Sequence, residues 1–333
     1  MRAPEFWNHR HGRDAAPVLR ALLSPLGKIY AYFTAKRIHD ASPHDSGIPI
    51  ICVGNASVGG TGKTPVTAYL LESFTRMGLG AVALSRGYGG TEKGPIIVSP
   101  KHSFTQIGDE PKLLSQYGKV WVAIARDEGA KAAVTAGAKI IIMDDGHQNP
   151  YLKKTLSLLV VDAVIGFGNE RVFPAGPLRE PLDKALGRAD VIVLMKPHKN
   201  YVPDSHLLAQ LKGKPILQAC LSSQVHPPVG KLFAFAGIGR PNKFFDTLSR
   251  EGANLVEALS YKNHYAYKDT DMMNLLDLSK EYGARLITTE KDYVRLPKGF
   301  KKYVTCWPVN AVFEDELTVR RILHPIIERA QRG

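Results

Sequence analysis

The apolar residues of this chain fall into short runs of two kinds. Uninterrupted runs recur at Ile48–Val53, Ala81–Leu84, Ile96–Val98, Val120–Ala125, Lys139–Met143, Leu156–Val161 and Val191–Met195. Between them, Pro65–Met77, Glu110–Tyr117 and Asp127–Ala136 repeat their apolar positions every three or four residues. Strands apolar on both faces must be covered on both, and helices between successive strands supply the cover. The pattern predicts an α/β fold: a doubly wound, mostly parallel sheet within a first unit at residues 41–225. Val225-His226-Pro227-Pro228-Val229-Gly230 then punctuates the chain as a linker. A smaller set follows: strands at Leu232–Ala236 and Leu286–Thr289, helices at Lys243–Glu251, Thr270–Tyr282 and Glu314–Gln331. It predicts a second, smaller α/β domain at 226–333.

The segment ahead of both differs. Leu19, Leu22, Leu23, Leu26, Ile29, Tyr30 and Phe33 share one face of a helix over Val18–Phe33, with Arg20, Lys28, Lys36 and Arg37 on or beyond the other. Residues 1–40 hold seven Lys or Arg against three Asp or Glu. This amphipathic helix either packs on its own domain, kinked at Pro25, or lies in the plane of a membrane surface.

Composition narrows the class. In 333 residues, 44% apolar and 23% charged content is that of a globular chain. The net charge of +13 predicts acidic partners: nucleotide, nucleic acid or anionic lipid. Cys52, Cys220 and Cys306 are too far apart for a disulfide framework or a CxxC zinc site, which fits a reducing, intracellular compartment. No run reaches the ~18 apolar residues of a spanning helix, and the polar stretch Met1–Asp14 is unlike a signal peptide.

Ile50-Ile51-Cys52-Val53-Gly54-Asn55 leads directly into Ala56-Ser57-Val58-Gly59-Gly60-Thr61-Gly62-Lys63-Thr64. Strand, glycine-rich loop and helix follow in the order of a phosphate-binding loop. Its glycines let backbone N–H groups turn toward a polyphosphate. Lys63 supplies a point charge, and the Thr64 hydroxyl suits magnesium; the helix adds its positive N-terminal end. The strict spacing asks for glycine where Ser57 stands, so the loop fits the GGxGKT variant of partitioning ATPases and dethiobiotin synthetase. Ser57, Val58, Gly59, Gly60, Thr61, Gly62, Lys63 and Thr64 are the expected nucleotide-binding residues.

The strand Lys139–Met143 ends in Asp144-Asp145-Gly146. A buried strand delivers an Asp to magnesium from such a place, although Asp-Gly also simply terminates strands. GTPases place Asn-Lys-x-Asp after a later strand. Here Met195-Lys196-Pro197-His198 stands there, so ATP is the expected nucleotide.

Further strings occur in order: Ser85-Arg86-Gly87-Tyr88-Gly89-Gly90, Gly108-Asp109-Glu110-Pro111, Asp144-Asp145-Gly146-His147-Gln148, Phe167-Gly168-Asn169, Pro174-Ala175-Gly176-Pro177-Leu178-Arg179-Glu180, Ala236-Gly237-Ile238-Gly239 and Thr289-Glu290-Lys291-Asp292. Together, over residues 15–310, they resemble the tetraacyldisaccharide 4′-kinase (lipid A 4′-kinase) family of Gram-negative bacteria. The resemblance implies transfer of the ATP γ-phosphate, with Mg2+, to the 4′-hydroxyl of a tetraacylated glucosamine disaccharide 1-phosphate. The product is lipid IVA, made peripherally at the cytoplasmic face of the inner membrane. The resemblance also makes the Val18–Phe33 helix an anchor on that anionic surface, and needs neither nucleic acid nor an obligate protein partner.

The same resemblance assigns residues. Asp109 becomes the catalytic carboxylate, although its string reads equally as a helix N-cap. His264, in Tyr261-Lys262-Asn263-His264-Tyr265, becomes its catalytic partner, with Asn263 where relatives carry Asp; a lone His is otherwise a structural residue. Such a pair spans the two domains, so the domains must close. Lys63 acts on the transferred phosphate. Thr64, Asp144, Asp145 and Glu180 become the metal ligands. Arg179 becomes a phosphate contact; Arg86 and Tyr88, just after the second strand, and Arg126, at the end of another, stand where open sheets hold ligands and join it as substrate contacts, with structural ion pairs as the alternative for the arginines.

Two other classes remain. A partitioning-type ATPase switch would carry lysine where Val58 stands and lack the second domain. A nucleic-acid binder is suggested by charge alone, without a module to support it.

Overall fold

The computed structural model describes residues 4–332. Residues 1–3 and 333, the outer ends of the expected first and last segments, lie outside it. The strands are β1 (Ile50–Gly54), β2 (Ala81–Ser85), β3 (Ile96–Ile97), β4 (Lys119–Val122), β5 (Ile140–Asp144), β6 (Leu156–Asp162) and β7 (Val191–Lys196). These match the seven apolar runs. β8 (Ile216–Ser222), β9 (Lys231–Ala236), β10 (Asn254–Ser260), β11 (Arg285–Thr289), β12 (Val304–Trp307) and β13 (Asn310–Phe313) complete the set.

The larger sheet has the order β13-β8-β7-β6-β1-β5-β2-β4-β3. Its interior pairings are parallel, and only the edge strands β13 and β3 run antiparallel to their neighbours. Alternate residues of β1 show why the strands are apolar throughout. Ile51 and Val53 join the core beneath helix Lys63–Arg76, while Ile50 and Cys52 join the core on the other face. The smaller sheet, β10-β9-β11-β12, is parallel and repeats the logic. Leu232, Ala234 and Ala236 of β9 bury on one side, Phe233 and Phe235 on the other.

The expected boundary 226–333 is corrected at its far end. After β12, Pro308 and Val309 lead the chain back, and β13 pairs with β8 of the larger sheet. Helix Glu316–Arg332 then buries Val319, Leu323 and Ile326 in the larger core. The smaller domain is therefore an insertion spanning β9 to β12. Its outward crossing uses the irregular residues 223–230, as the proline-rich linker predicts.

The N-terminal helix runs unbroken over Pro17–His39, through Pro25. Its inward stripe is Leu23, Ser24, Gly27, Ala31, Thr34 and Ile38, mostly small residues. A Cβ on Gly27 would stand 3.0 Å from the Val172 carbonyl. Leu19, Leu22, Leu26, Ile29, Tyr30 and Phe33 are exposed, Leu22 by 70%. The apolar face thus points away from the protein, which corrects the alternative of a helix packed through it. Among the described residues no helix is long and apolar enough to cross a membrane.

Candidate functional site

Parallel sheets place ligands at the carboxyl ends of their strands, and here the expected chemistry converges there. β1 lies between β5 and β6, and residues 55–62 turn from its end into helix Lys63–Arg76. Gly62, at φ 98°, occupies the left-handed region where a side chain is strained. The loop is braced from outside: the Val58 N–H donates to the Pro177 carbonyl at 2.7 Å, and Ser57 bridges Leu178. Thr61 is buried with its hydroxyl unpartnered.

Two carboxylates from the end of β5 face this loop and differ sharply. Asp144 is buried; its Oδ1 accepts from the Thr67 hydroxyl at 3.0 Å, while Oδ2 has no partner. Burial, then the neighbouring charges of Glu110 and Asp145, push its pKa up to about 7. Asp145 is half-buried, with φ at 50°. Arg179 Nη1 donates to both its oxygens at 3.0 Å, and Lys63 Nζ stands 3.5 Å away. Against burial, these cations hold its pKa down to about 2.

The unpartnered, buried Asp144 oxygen fits a hard cation such as Mg2+. Among the described residues no three His, Cys, Asp or Glu side chains gather into a self-sufficient metal site. That suits an ion that takes one or two carboxylates and leaves its other positions to water and phosphate.

Glu180 is placed differently from its metal assignment. It is 2% exposed. Both of its oxygens take hydrogen bonds from Arg188, and Oε1 also accepts from Gln148 at 2.9 Å. It is a brace under the loop, since the same Gln148 amide donates to the Asn55 carbonyl. Arg179 and Glu180 do not pair with each other: Arg179 binds Asp145 and Glu180 binds Arg188. Arg126 likewise leaves the substrate set. It opens helix Arg126–Thr135 rather than ending a strand, is 3% exposed, and donates to the carbonyls of Leu84 and Asp144. Burial lowers its pKa to about 10. Arg86 is exposed just after β2, and Tyr88 is 70% exposed, its ring 5.8 Å from that of His264.

The smaller domain closes over this site. At Gly239 an added Cβ would lie 3.5 Å from the Gly60 nitrogen. His264, 155 residues from Asp109 in sequence, donates from Nδ1 to Asp109 Oδ2 at 2.9 Å. Its backbone is left-handed, φ 57°, held by a bond from its N–H to the Gly237 carbonyl. Gly108, not Asp109, caps helix Asp109–Leu114, although Asp109 Oδ1 accepts from the Glu110 N–H at 3.0 Å. Burial would raise Asp109; the His264 hydrogen bond and the charges of Lys291 and Arg295 outweigh it and hold the pKa at about 2.

Sequence reasoning missed Thr67, Gln148 and Arg188. Thr67 lies one helical turn beyond Thr64, a spacing that could have found it; Gln148 closes the Asp144–Gln148 string but received no role from it, and Arg188 has no local signal.

A family model described as tetraacyldisaccharide-1-P 4′-kinase matches residues 19–328. A tetraacyldisaccharide 4′-kinase from Hyphomonas neptunium is 45% identical, covering 99% of both chains. One from Phenylobacterium zucineum is 46% identical over 97% of this chain and 98% of its own. Among solved structures, LpxK from Aquifex aeolicus in complex with ATP matches with a TM-score of 0.71 and 28% identity, covering 93% of this chain and 99% of that one. With a phosphate loop, a carboxylate pair and a domain-spanning Asp–His contact in one cleft, the chain belongs to the tetraacyldisaccharide 4′-kinase family.

Proposed function

We propose that the chain transfers the γ-phosphate of ATP to the 4′-hydroxyl of a tetraacylated glucosamine disaccharide 1-phosphate, forming lipid IVA, with the following division of labour. The loop amides, Lys63 and the start of helix Lys63–Arg76 hold the ATP phosphates. Thr64 and the Asp144–Asp145 pair hold Mg2+, with the unpartnered Asp144 oxygen as its carboxylate ligand. When bound, the ion offsets charge on the phosphates. Arg179 holds Asp145 in place, and Arg86 and Tyr88 line the substrate side.

The Asp109–His264 pair takes the proton of the attacking hydroxyl. The 2.9 Å contact between them, joining the two domains beside the phosphate loop, is the observation that carries this reading. A carboxylate on imidazole Nδ1 leaves Nε2 available, and a positioned base contributes about 10²–10⁴-fold.

The acceptor lipid lies in a bilayer, and the outward apolar face of helix Pro17–His39 offers a matching surface. Lys28, Lys36 and Arg37 beside it favour anionic headgroups. We place the enzyme peripherally, on the cytoplasmic face of the inner membrane, with no nucleic acid and no obligate protein partner. The test is labelled ATP with tetraacyldisaccharide 1-phosphate in mixed micelles, followed by product mapping. Label at the 4′ position is expected. ATP turnover indifferent to the lipid would instead indicate a nucleotide switch.

A further inference from the structure

The string Thr289-Glu290-Lys291-Asp292 has no part in the division of labour above, yet it lies against the Asp109–His264 pair. It forms the one-turn helix Glu290–Tyr293, capped by the Thr289 side chain. Asp292, fully buried, fixes the turn from behind by accepting from the Gly237 N–H and the Tyr267 hydroxyl, each at 2.8 Å. Lys291 crosses from this turn to the larger domain. Its Nζ is 2.9 Å from Glu110 Oε1 and 4.0 Å from Asp109 Oδ2. Arg295, its side chain 1% exposed, places Nε 3.5 Å from the same Asp109 oxygen. It also donates to the Gly237 and Tyr265 carbonyls, which flank the stretch bearing His264.

We propose that Lys291 is a positioning residue for phosphoryl transfer: its ammonium docks the smaller domain on the Asp109–Glu110 turn and sets the charge under which the Asp109–His264 pair exchanges its proton. The inference rests on that pair being the proton acceptor. The groups facing the pair are Glu110 and Tyr88 from the larger domain, and Lys291 with the Arg295–Asp292 ion pair from the smaller. Burial would lower the Lys291 pKa, but Glu110 and Asp109 overcome it and raise it, so the ammonium stays charged. Asp109 and His264 are joined by a single hydrogen bond. A fixed cation beside them disfavours their protonation, while the Glu110 carboxylate favours it.

Opposite charges therefore predict opposite shifts, which a merely structural contact would not produce. The probe is the proton NMR titration of the His264 ring in the full chain without ligands, assigned by its loss in His264→Gln. Because removing a nearby cation favours protonation, Lys291→Gln should move the midpoint of that titration to higher pH. Glu110→Gln should lower it, and Lys291→Arg should restore the wild-type value. In the kinase assay Lys291→Gln should lower kcat about tenfold through lost alignment, with Lys291→Arg recovering most of it. An unmoved ring titration in both charge variants overturns the proposal. So does Lys291→Arg titrating like Lys291→Gln, or Lys291→Gln changing only the KM for lipid. Should Lys291→Gln fail to fold, the direction of the Glu110→Gln shift decides. Wild-type kcat in His264→Gln would reject the proton-acceptor reading itself, whatever the titration shows.

Discussion

Asp109 answers to four partners at once: a backbone N–H at its own helix start, the His264 ring, and the cations of Lys291 and Arg295. As a plain cap it would tolerate Asn. Beside a buried guanidinium it should not. Its pKa of about 2 lies below the ordinary carboxylate value, so its contribution to stability is complete above about pH 4 and is lost as pH falls toward 2. The depression corresponds to roughly 2 kcal/mol. Urea unfolding of wild type and Asp109→Asn should therefore differ by about that much at pH 7 and converge only as pH falls to about 2 and below. The kinase assay should lose about 10²-fold or more in the same variant, with ATP affinity near normal. Lys63→Ala and Thr64→Ala should each cost about 10²-fold in turnover by removing charge stabilisation or metal placement; near-normal lipid phosphorylation in both, shown folded, would refute the nucleotide site.

At the scale of elements, helix Pro17–His39 inverts the usual arrangement, with small residues inward and large apolar ones outward. Replacing Leu22, Leu26, Ile29 and Phe33 by Ser should therefore release the protein from anionic vesicles while leaving Tm within a few degrees. Gly27→Leu should do the reverse, because its Cβ would press on the Val172 carbonyl: Tm falls while vesicle binding persists in the folded fraction. Co-sedimentation and calorimetry on the same samples check both. The amphipathic spacing of this helix was legible in the sequence, but not which face turns inward, since Gly27 and Thr34 carry no hydrophobic signal. Likewise the phosphate loop is written locally, in an apolar strand, glycines and Lys-Thr. β10 was not legible because Asn254–Ser260 is a half-exposed edge strand without an apolar run, and β13 is only four residues long. Arg126 and Glu180 read as cleft residues because sequence shows charge but not burial.

Across the whole molecule, the two domains are tied on both sides of the cleft. Lys291 and His264 grip the Asp109 turn. On the other side Asp162, buried at the end of β6, accepts from Arg240 at 2.9 Å and from Lys243, both in the smaller domain. Asp162→Asn should loosen that side and cost roughly 1–3 kcal/mol, the cations being partly exposed. Faster amide exchange across Gly237–Arg240, with the far helices of the larger domain unchanged, is the expected signature; uniform protection would reject the tie.

The return of the chain through β13 and helix Glu316–Arg332 also bears on how the protein is made. Synthesis proceeds from the N-terminus, and domains ordinarily fold as they emerge. Here the larger sheet lacks an edge strand, and its core lacks Val319, Leu323 and Ile326, until the chain beyond the inserted domain leaves the ribosome. The inserted domain, complete at Trp307, can form first. The nucleotide cleft thus acquires its finished support only after the inserted domain is made, and a chain truncated after residue 309 and released should be cut by protease within β1 to β8 while β9 to β12 resist.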